Sequence, residues 1–233
     1  MNLCVIPARG GSKRIHYKNI KDFNGKPIIA YSIEAAIECK QFNQIIVSTD
    51  DPKIAKVAEK YGANVPFIRP KALSDDFIGT IPVIKHALQY MENNNNYFDN
   101  VCCLYATAPF IKSKTLIDSY KQLLSSKKEY CFSVTSYSFP IQRALKIDKS
   151  DNLKMFQPSF FNKRSQDLEE SFHDAGQFYW GKVDAFKKEL KLFSKYSSPF
   201  ILPRYLVQDI DNMEDWIRAE IMYTSLKNTQ DIL

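Results

Sequence analysis

Long apolar runs are missing from this chain of 233 residues. None approaches the roughly 20 apolar residues needed to cross a bilayer, so no membrane partner is expected. No basic segment precedes the short apolar run at the N-terminus, which excludes the usual signal-peptide pattern and points to a cytoplasmic protein. The five cysteines are odd in number and two are adjacent, Cys102 and Cys103. No Cys-x-x-Cys or Cys/His ligand spacing occurs, which leaves reduced, mostly buried thiols as the expectation. The Walker A spacing and GxGxxG are both absent, which disfavours a kinase, an ATPase or a dehydrogenase. No Ser-His-Asp or Cys-His set can be assembled from spacing among the three histidines. No internal repeat is present.

What remains is ordinary in bulk and pointed in detail. Hydrophobic residues make up 45% and charged residues 25% of the chain, values of a globular protein with a sizeable core. The length fits one large domain, or one with a small insertion. The net charge of +6 favours anionic partners without separating nucleotides from nucleic acid.

The most pointed segment is the first strand and the loop behind it. Residues 2–6 form a strand pattern that is apolar from Leu3 to Ile6, and Pro7 and Gly10-Gly11 stop the run abruptly. The loop then carries Arg9, Lys13, Arg14 and Lys18. Two glycines let backbone amides approach a ligand, and amides with cations at a strand's carboxyl end suit a polyanion such as a triphosphate. The plain alternative is a set of solvated surface cations.

Further along, strand patterns at 44–49, 64–68 and 99–105 alternate with helix patterns at 27–40, 52–61, 79–92 and 113–126. Pro27 and Pro52 suit first helical turns. This order implies a three-layer α/β protein with a mostly parallel sheet, whose ligands sit beyond the carboxyl ends of the strands. The alternation falters after residue 137. Residues 138–175 read as an excursion, and their aromatics favour a subunit interface. Strands resume at 176–181 and 204–210, and a last helix starts near Asn212 as N-cap with Glu214 and Asp215 in its first turn.

Asp209-Ile210-Asp211 closes the 204–210 pattern. Alternate strand residues share a face, so both carboxylates converge as a hard-oxygen site suited to Mg²⁺. Alone, Asp-x-Asp is weak, since two acids also close a strand and cap a helix; the distant cationic loop tips the reading towards a metal. Arg69 stands after the third strand pattern, where it suits either a nucleotide or a surface ion pair. Asp51-Pro52 is an ordinary helix start. His86 reads as packing; His173 suits either the pocket or a turn.

Taken together, these segments resemble the CMP-sugar synthetases, cytidylyltransferases that act on nonulosonic acids. The resemblance rests on Ile6-Pro7-Ala8-Arg9-Gly10-Gly11-Ser12-Lys13, Lys18-Asn19-Ile20, Gly25-Lys26-Pro27, Val47-Ser48-Thr49-Asp50-Asp51, Arg69-Pro70, Thr107-Ala108-Pro109 and Gln208-Asp209-Ile210-Asp211. Residues 79–86, 139–145, 164–170, 173–181 and 202–205 are most similar to the branch that acts on pseudaminic acid. The resemblance implies a Rossmann-like nucleotidyltransferase fold of the nucleotide-diphospho-sugar transferase type, a single domain over 1–233 with the excursion as its dimerisation insertion, and a homodimer. It implies that CTP and an acid sugar give a CMP-sugar and pyrophosphate. Arg9, Lys13 and Asp211 are then catalytic. Ala8, Arg9, Ser12, Lys13, Lys18, Asn19, Arg69 and Thr80 bind the nucleotide. Tyr105, Gln166, Gln177 and Tyr179 lie with the sugar. Asp209 and Asp211 hold Mg²⁺. The chemistry of the transfer adds the expectation that Asp211, through metal or water, helps deprotonate the attacking hydroxyl. His16 and Ala106 stand where the family usually has proline. Legionaminic, N-acetylneuraminic and Kdo-type acids are alternative acceptors. A nucleic-acid-binding protein is disfavoured because the basic groups gather at strand ends rather than along one helix or groove. A non-catalytic binding protein is disfavoured by the cations and aspartates kept together.

Overall fold

The computed structural model describes residues 1–230. Strand β1 (Asn2–Pro7) leads through the cationic loop to a small ribbon, β2 (Asp22–Phe23) and β3 (Lys26–Pro27), and then to helix α1 (Ile28–Glu38). There follow β4 (Gln44–Ser48), α2 (Pro52–Lys60), α3 (Thr80–Asn93), β5 (Asn100–Leu104), α4 (Ser113–Ser125) and β6 (Tyr130–Ser136). An outlying hairpin pairs β7 (Leu145–Ile147) with β8 (Leu153–Met155). The chain closes with β9 (Phe172–Lys182), α5 (Val183–Lys187), β10 (Ser197–Ile201) and α6 (Met213–Gln230).

The six-stranded sheet has the order β10-β6-β9-β5-β1-β4. Only β9 runs against the others, since it pairs antiparallel with both β5 and β6 while the remaining pairings are parallel. Side-chain alternation splits the core between the two faces. Cys4, Ile6, Val47, Cys102, Leu104 and Trp180 face α1, α2 and α4. Leu3, Val5, Ile46, Cys103, Phe132 and Tyr179 face α3 and α5. The adjacent Cys102 and Cys103 thus lie in different layers, all five cysteines are buried as free thiols, and burial raises the pKa of both members of the pair.

A third cluster, around Phe23, Tyr31, Phe110, Ile210 and Trp216, fastens α6 to the edge of the domain. Phe23 packs edge-on against Tyr31, Trp216 and Tyr223 with ring centroids 5.5–5.6 Å apart. Asn212 caps α6 as expected, its Oδ1 accepting from the amides of Glu214 (2.8 Å) and Asp215 (3.1 Å).

Several expectations are corrected. Residues 64–68 are not a sheet strand: they form only isolated bridges, Asn64 to Ile46 of β4 and Ile68 to Thr49 just beyond it. Pro66, between them, has no N–H to extend a ladder. Residues 204–210 are not a strand either. Pro203 follows the last paired segment, Arg204–Leu206 forms a 3₁₀ turn, and 207–210 has no strand pairing. Pro27 precedes α1 rather than opening it, whereas Pro52 does open α2 behind the Asp51 cap. Strand β9 starts at Phe172, so the excursion rejoins the sheet earlier than residue 175, through the pairs Ser136–Phe172, Thr135–His173 and Val134–Asp174. The strands β6 and β10 and helix α5 complete the sheet and its outer layer without having been marked by the sequence pattern. No helix among the described residues is long and apolar enough to cross a membrane.

Candidate active site

A cleft of about 560 Å³ opens at the carboxyl ends of β1 and β5. It is lined on one side by Arg9, Ser12, Lys13, Arg14, Lys18 and Asn19, and on another by Asp209 and Asp211. Arg69, Thr80 and Tyr105 complete the wall. The chain thus brings its first loop and a segment about 200 residues later into one cavity, as the sequence led us to expect.

The loop is held by buried anchors. The amide of Ala8 continues the strand pairing to Ser48 O at 2.9 Å. Ala8 itself is buried and does not line the cleft, so its expected nucleotide contact is limited to spacing the loop. The Gly10 amide donates to Asp50 Oδ1 at 2.8 Å, so it is committed to the protein rather than offered to a ligand. Gly10 is required sterically: a Cβ there would stand 2.8 Å from Asp51 Cβ. Asn19 is buried and donates to Arg9 O at 2.9 Å, fixing the turn that aims Arg9.

Arg69 is 4% exposed, unusual for a guanidinium. Its Nη2 lies 3.9 Å from Asp50 Oδ1 and its Nε donates to Ser74 Oγ at 3.2 Å. Burial lowers its pKa while Asp50 works the other way; with so high a starting value it remains a cation. Asp50 therefore ties the loop to Arg69, a role that its place after β4 did not disclose.

Opposite the loop, Ile210 is fully buried in the third cluster, and its neighbours Asp209 and Asp211 turn to the cleft. The alternation expected of a strand survives here without a strand. Arg14 Nη2 donates to Asp211 Oδ1 at 2.8 Å, and Lys18 Nζ donates to Ile210 O at 2.6 Å. Desolvation by the cleft walls, followed by the charge of Asp211, raises the pKa of Asp209. Desolvation lowers that of Lys18 against the pull of Asp211 and Asp209. Among the described residues Asp209 has no ion-pair partner, and no cluster of three or more metal-ligating side chains occurs. Two carboxylates fit a Mg²⁺ ion that takes its other oxygens from phosphate and water, not one caged by protein.

The expected sugar residues separate. Tyr105 lines the cleft, its hydroxyl 2.9 Å from Thr80 Oγ1. Burial pushes its pKa up to about 12, so it acts as a neutral hydroxyl. Tyr179 is beneath it, ring centroids 5.5 Å apart, and donates its hydroxyl to Asp174 Oδ2. Gln177 is buried and donates to Leu206 O at 2.5 Å, away from the cleft lining. Gln166 lines a separate hollow with Phe139, Pro140 and Glu169. His173 bonds through Nδ1 to Asp174 O at 2.8 Å and packs on Tyr137; it lies within β9, so it neither lines the cleft nor supports a turn. His86 packs edge-on to Phe67, as expected. The sequence did not single out Asp76, which pairs with both Arg9 and Lys13, or Asp174.

A cationic loop and a carboxylate pair facing one another across the strand ends of a mostly parallel sheet define a nucleotidyltransferase of Rossmann-like architecture. The solved CMP:2-keto-3-deoxy-manno-octonic acid synthetase complexed with CTP shares the fold, with a TM-score of 0.68 over 96% of this chain and 98% of that one at 14% identity. The family described as Cytidylyltransferase matches residues 3–215, and the chain belongs to that family. A pseudaminic acid cytidylyltransferase of Campylobacter jejuni is 46% identical over 222 residues, covering 95% of this chain and 96% of the relative. A CMP-N,N'-diacetyllegionaminic acid synthase of Legionella pneumophila is 32% identical over 225 residues, 94% of each chain.

Proposed function

We propose that this chain activates pseudaminic acid: CTP and pseudaminic acid give CMP-pseudaminic acid and pyrophosphate. The observation that carries the reaction is the meeting of Arg9, Lys13, Asp209 and Asp211 in one cleft. The choice of sugar is supported by the 46% identity to the Campylobacter jejuni enzyme over nearly all of both chains.

The anomeric hydroxyl oxygen of the sugar attacks the α-phosphorus. The bond from that phosphorus to the bridging oxygen breaks, and pyrophosphate leaves with the electron pair. Arg9 and Lys13 bind the β- and γ-phosphates and stabilise the charge that grows on the leaving oxygens. Ser12, Lys18 and Asn19 hold the rest of the nucleotide with Arg69 and Thr80. Asp211 takes up the hydroxyl proton through a water, and its bond to Arg14 keeps the carboxylate oriented. Mg²⁺ held by Asp209 and Asp211 would supply neutralisation of the phosphate charge. Tyr105 contacts the sugar, and Tyr179 and Gln177 support that wall from behind.

The protein works as a cytoplasmic homodimer in this proposal. Its 138–171 arm is the interface, because Phe139, Ile147, Leu153, Phe156 and Phe161 are all exposed there. Gln166, carried by this arm, reaches sugar only through the assembled dimer.

The test is pyrophosphate release from CTP and Mg²⁺ across pseudaminic, legionaminic and N-acetylneuraminic acids. Release with pseudaminic acid alone supports the proposal. Release with another acid only moves the specificity, and release with none, from folded protein that binds CTP, overturns it.

A further inference from the structure

Arg9 and Lys13 are both engaged by one carboxylate. Arg9 Nη1 pairs with Asp76 Oδ1, and Lys13 Nζ lies 2.5 Å from Asp76 Oδ2. These bonds, Lys13 first and Arg9 second, hold the Asp76 carboxyl below its usual range, so it is a full anion at neutral pH. Asp76 lines the same cleft as the cations. A carboxylate that spans two cations in this way takes the place of a phosphate oxygen pair.

The segment that carries Asp76 is built to present it. At its start the Arg69 amide is pinned to Thr49 O at 2.7 Å. At its end α3 begins behind Gly79 with no side-chain cap. Asp75 folds the tip by accepting from the amides of Phe77 (2.8 Å) and Ile78 (2.9 Å). Phe77, the largest apolar group at the tip, is 94% exposed and packs on nothing that would fix the segment. The two ion pairs are therefore what ties the tip to the cationic loop. Being partly solvated, such pairs are weak enough for a ligand to break.

We infer that Asp76 is an internal occupant of the phosphate subsite: it neutralises Arg9 and Lys13 in the free protein, a triphosphate displaces it, and it thereby sets nucleotide affinity. The inference rests on reading Arg9 and Lys13 as the triphosphate cations. Two consequences follow from charge alone. Nucleotide binding is an exchange of anions, so it costs the two pairs with Asp76 before it gains those with phosphate. Asp76 also competes with pyrophosphate for the same cations and so favours its departure.

The experiment is calorimetric titration of CTP and, separately, of inorganic pyrophosphate into wild type, Asp76→Asn and Asp76→Glu. Asparagine keeps the size and removes the charge. It is expected to tighten both ligands about three- to tenfold, the worth of one or two exposed pairs. Glutamate, which restores the anion, is expected to stay within about twofold of wild type on the same scale. The gain in the asparagine variant shrinks as salt is raised from about 0.05 to 0.5 M, which a merely structural effect would not do. Unchanged or weaker CTP binding by Asp76→Asn, with measurable binding by wild type, overturns the inference and leaves the reading of the cations intact. Wild type that binds neither CTP nor pyrophosphate refutes that reading itself, and the inference with it.

Discussion

The two sides of the cleft differ in where their polar groups sit. On the side proposed for phosphate the charged heads of Arg9, Lys13, Arg14, Asp209 and Asp211 reach the cavity; Arg9 and Lys13 pair with Asp76 and Arg14 with Asp211, while Asp209 has no ion-pair partner among the described residues. On the side proposed for the sugar, Tyr105 alone of the four expected sugar residues lines the cleft, while Tyr179, Asp174 and Gln177 form a layer behind it and Gln166 lies out on the arm. Charge that acts on a substrate must be exposed to it, whereas shape can be imposed through packing. Substitutions on the first side should therefore change the chemical step, and those on the second should change recognition of one substrate.

The largest effect is expected from Asp211→Asn. It keeps the bond to Arg14 geometrically possible but removes the charge, and kcat should fall about 10²- to 10³-fold at saturating Mg²⁺, as for other groups that stabilise developing charge. Normal turnover would remove the phosphate side from the chemistry. Next comes the arm. Replacing Ile147 and Leu153 together by Ser should leave the monomer folded, since both are exposed, and shift the sedimentation velocity from dimer to monomer. A dimer that persists would place the interface elsewhere.

A smaller change is predicted for Tyr179→Phe. The ring stays stacked on Phe132, at a centroid distance of 5.7 Å, while the bond to Asp174 is lost. The KM for the sugar should rise about five- to tenfold, the worth of one hydrogen bond of about 1 kcal/mol, with the KM for CTP unmoved. Equal changes in both would erase the distinction between the two sides. The mildest is Asn212→Ala, which strips the cap of the helix behind Asp211 and should cost about 1 kcal/mol in urea unfolding.

This difference also explains what could be seen in the sequence. A buried apolar run that ends at a glycine pair with cations behind it is a local signal, and β1 with its loop was legible for that reason. So were the carboxylates on either side of Ile210 and the Asn212 cap, because each depends on neighbours within a few residues. The strand assigned to 204–210 failed because alternation records which side chains are buried, and Ile210 is buried against α6 rather than in a sheet. The segment 64–68 failed for a similar reason: Val65 and Phe67 are half-buried, but Pro66 blocks the ladder. Strand β10 has Pro199 inside it, tolerated at the sheet's edge, and its sequence Ser-Ser-Pro-Phe-Ile gives little alternation to read. Asp76 went unnoticed because its partners Arg9 and Lys13 lie on a distant loop, and an isolated aspartate in a loop carries no pattern. Asp174 went unnoticed although its partner Tyr179 stands on the same strand: five residues apart they would face opposite sides of a regular strand, and β9 is irregular at Gly176 (φ 61°) between them.

The proposed chemical step depends on the cationic side of the cleft. Its most direct test is sugar-dependent pyrophosphate release by wild type and by Arg9→Ala, both shown to be folded by circular dichroism. The predicted result is release that requires both CTP and pseudaminic acid and falls at least about 100-fold in kcat/KM for CTP when the guanidinium is removed. Undiminished release by Arg9→Ala would contradict it.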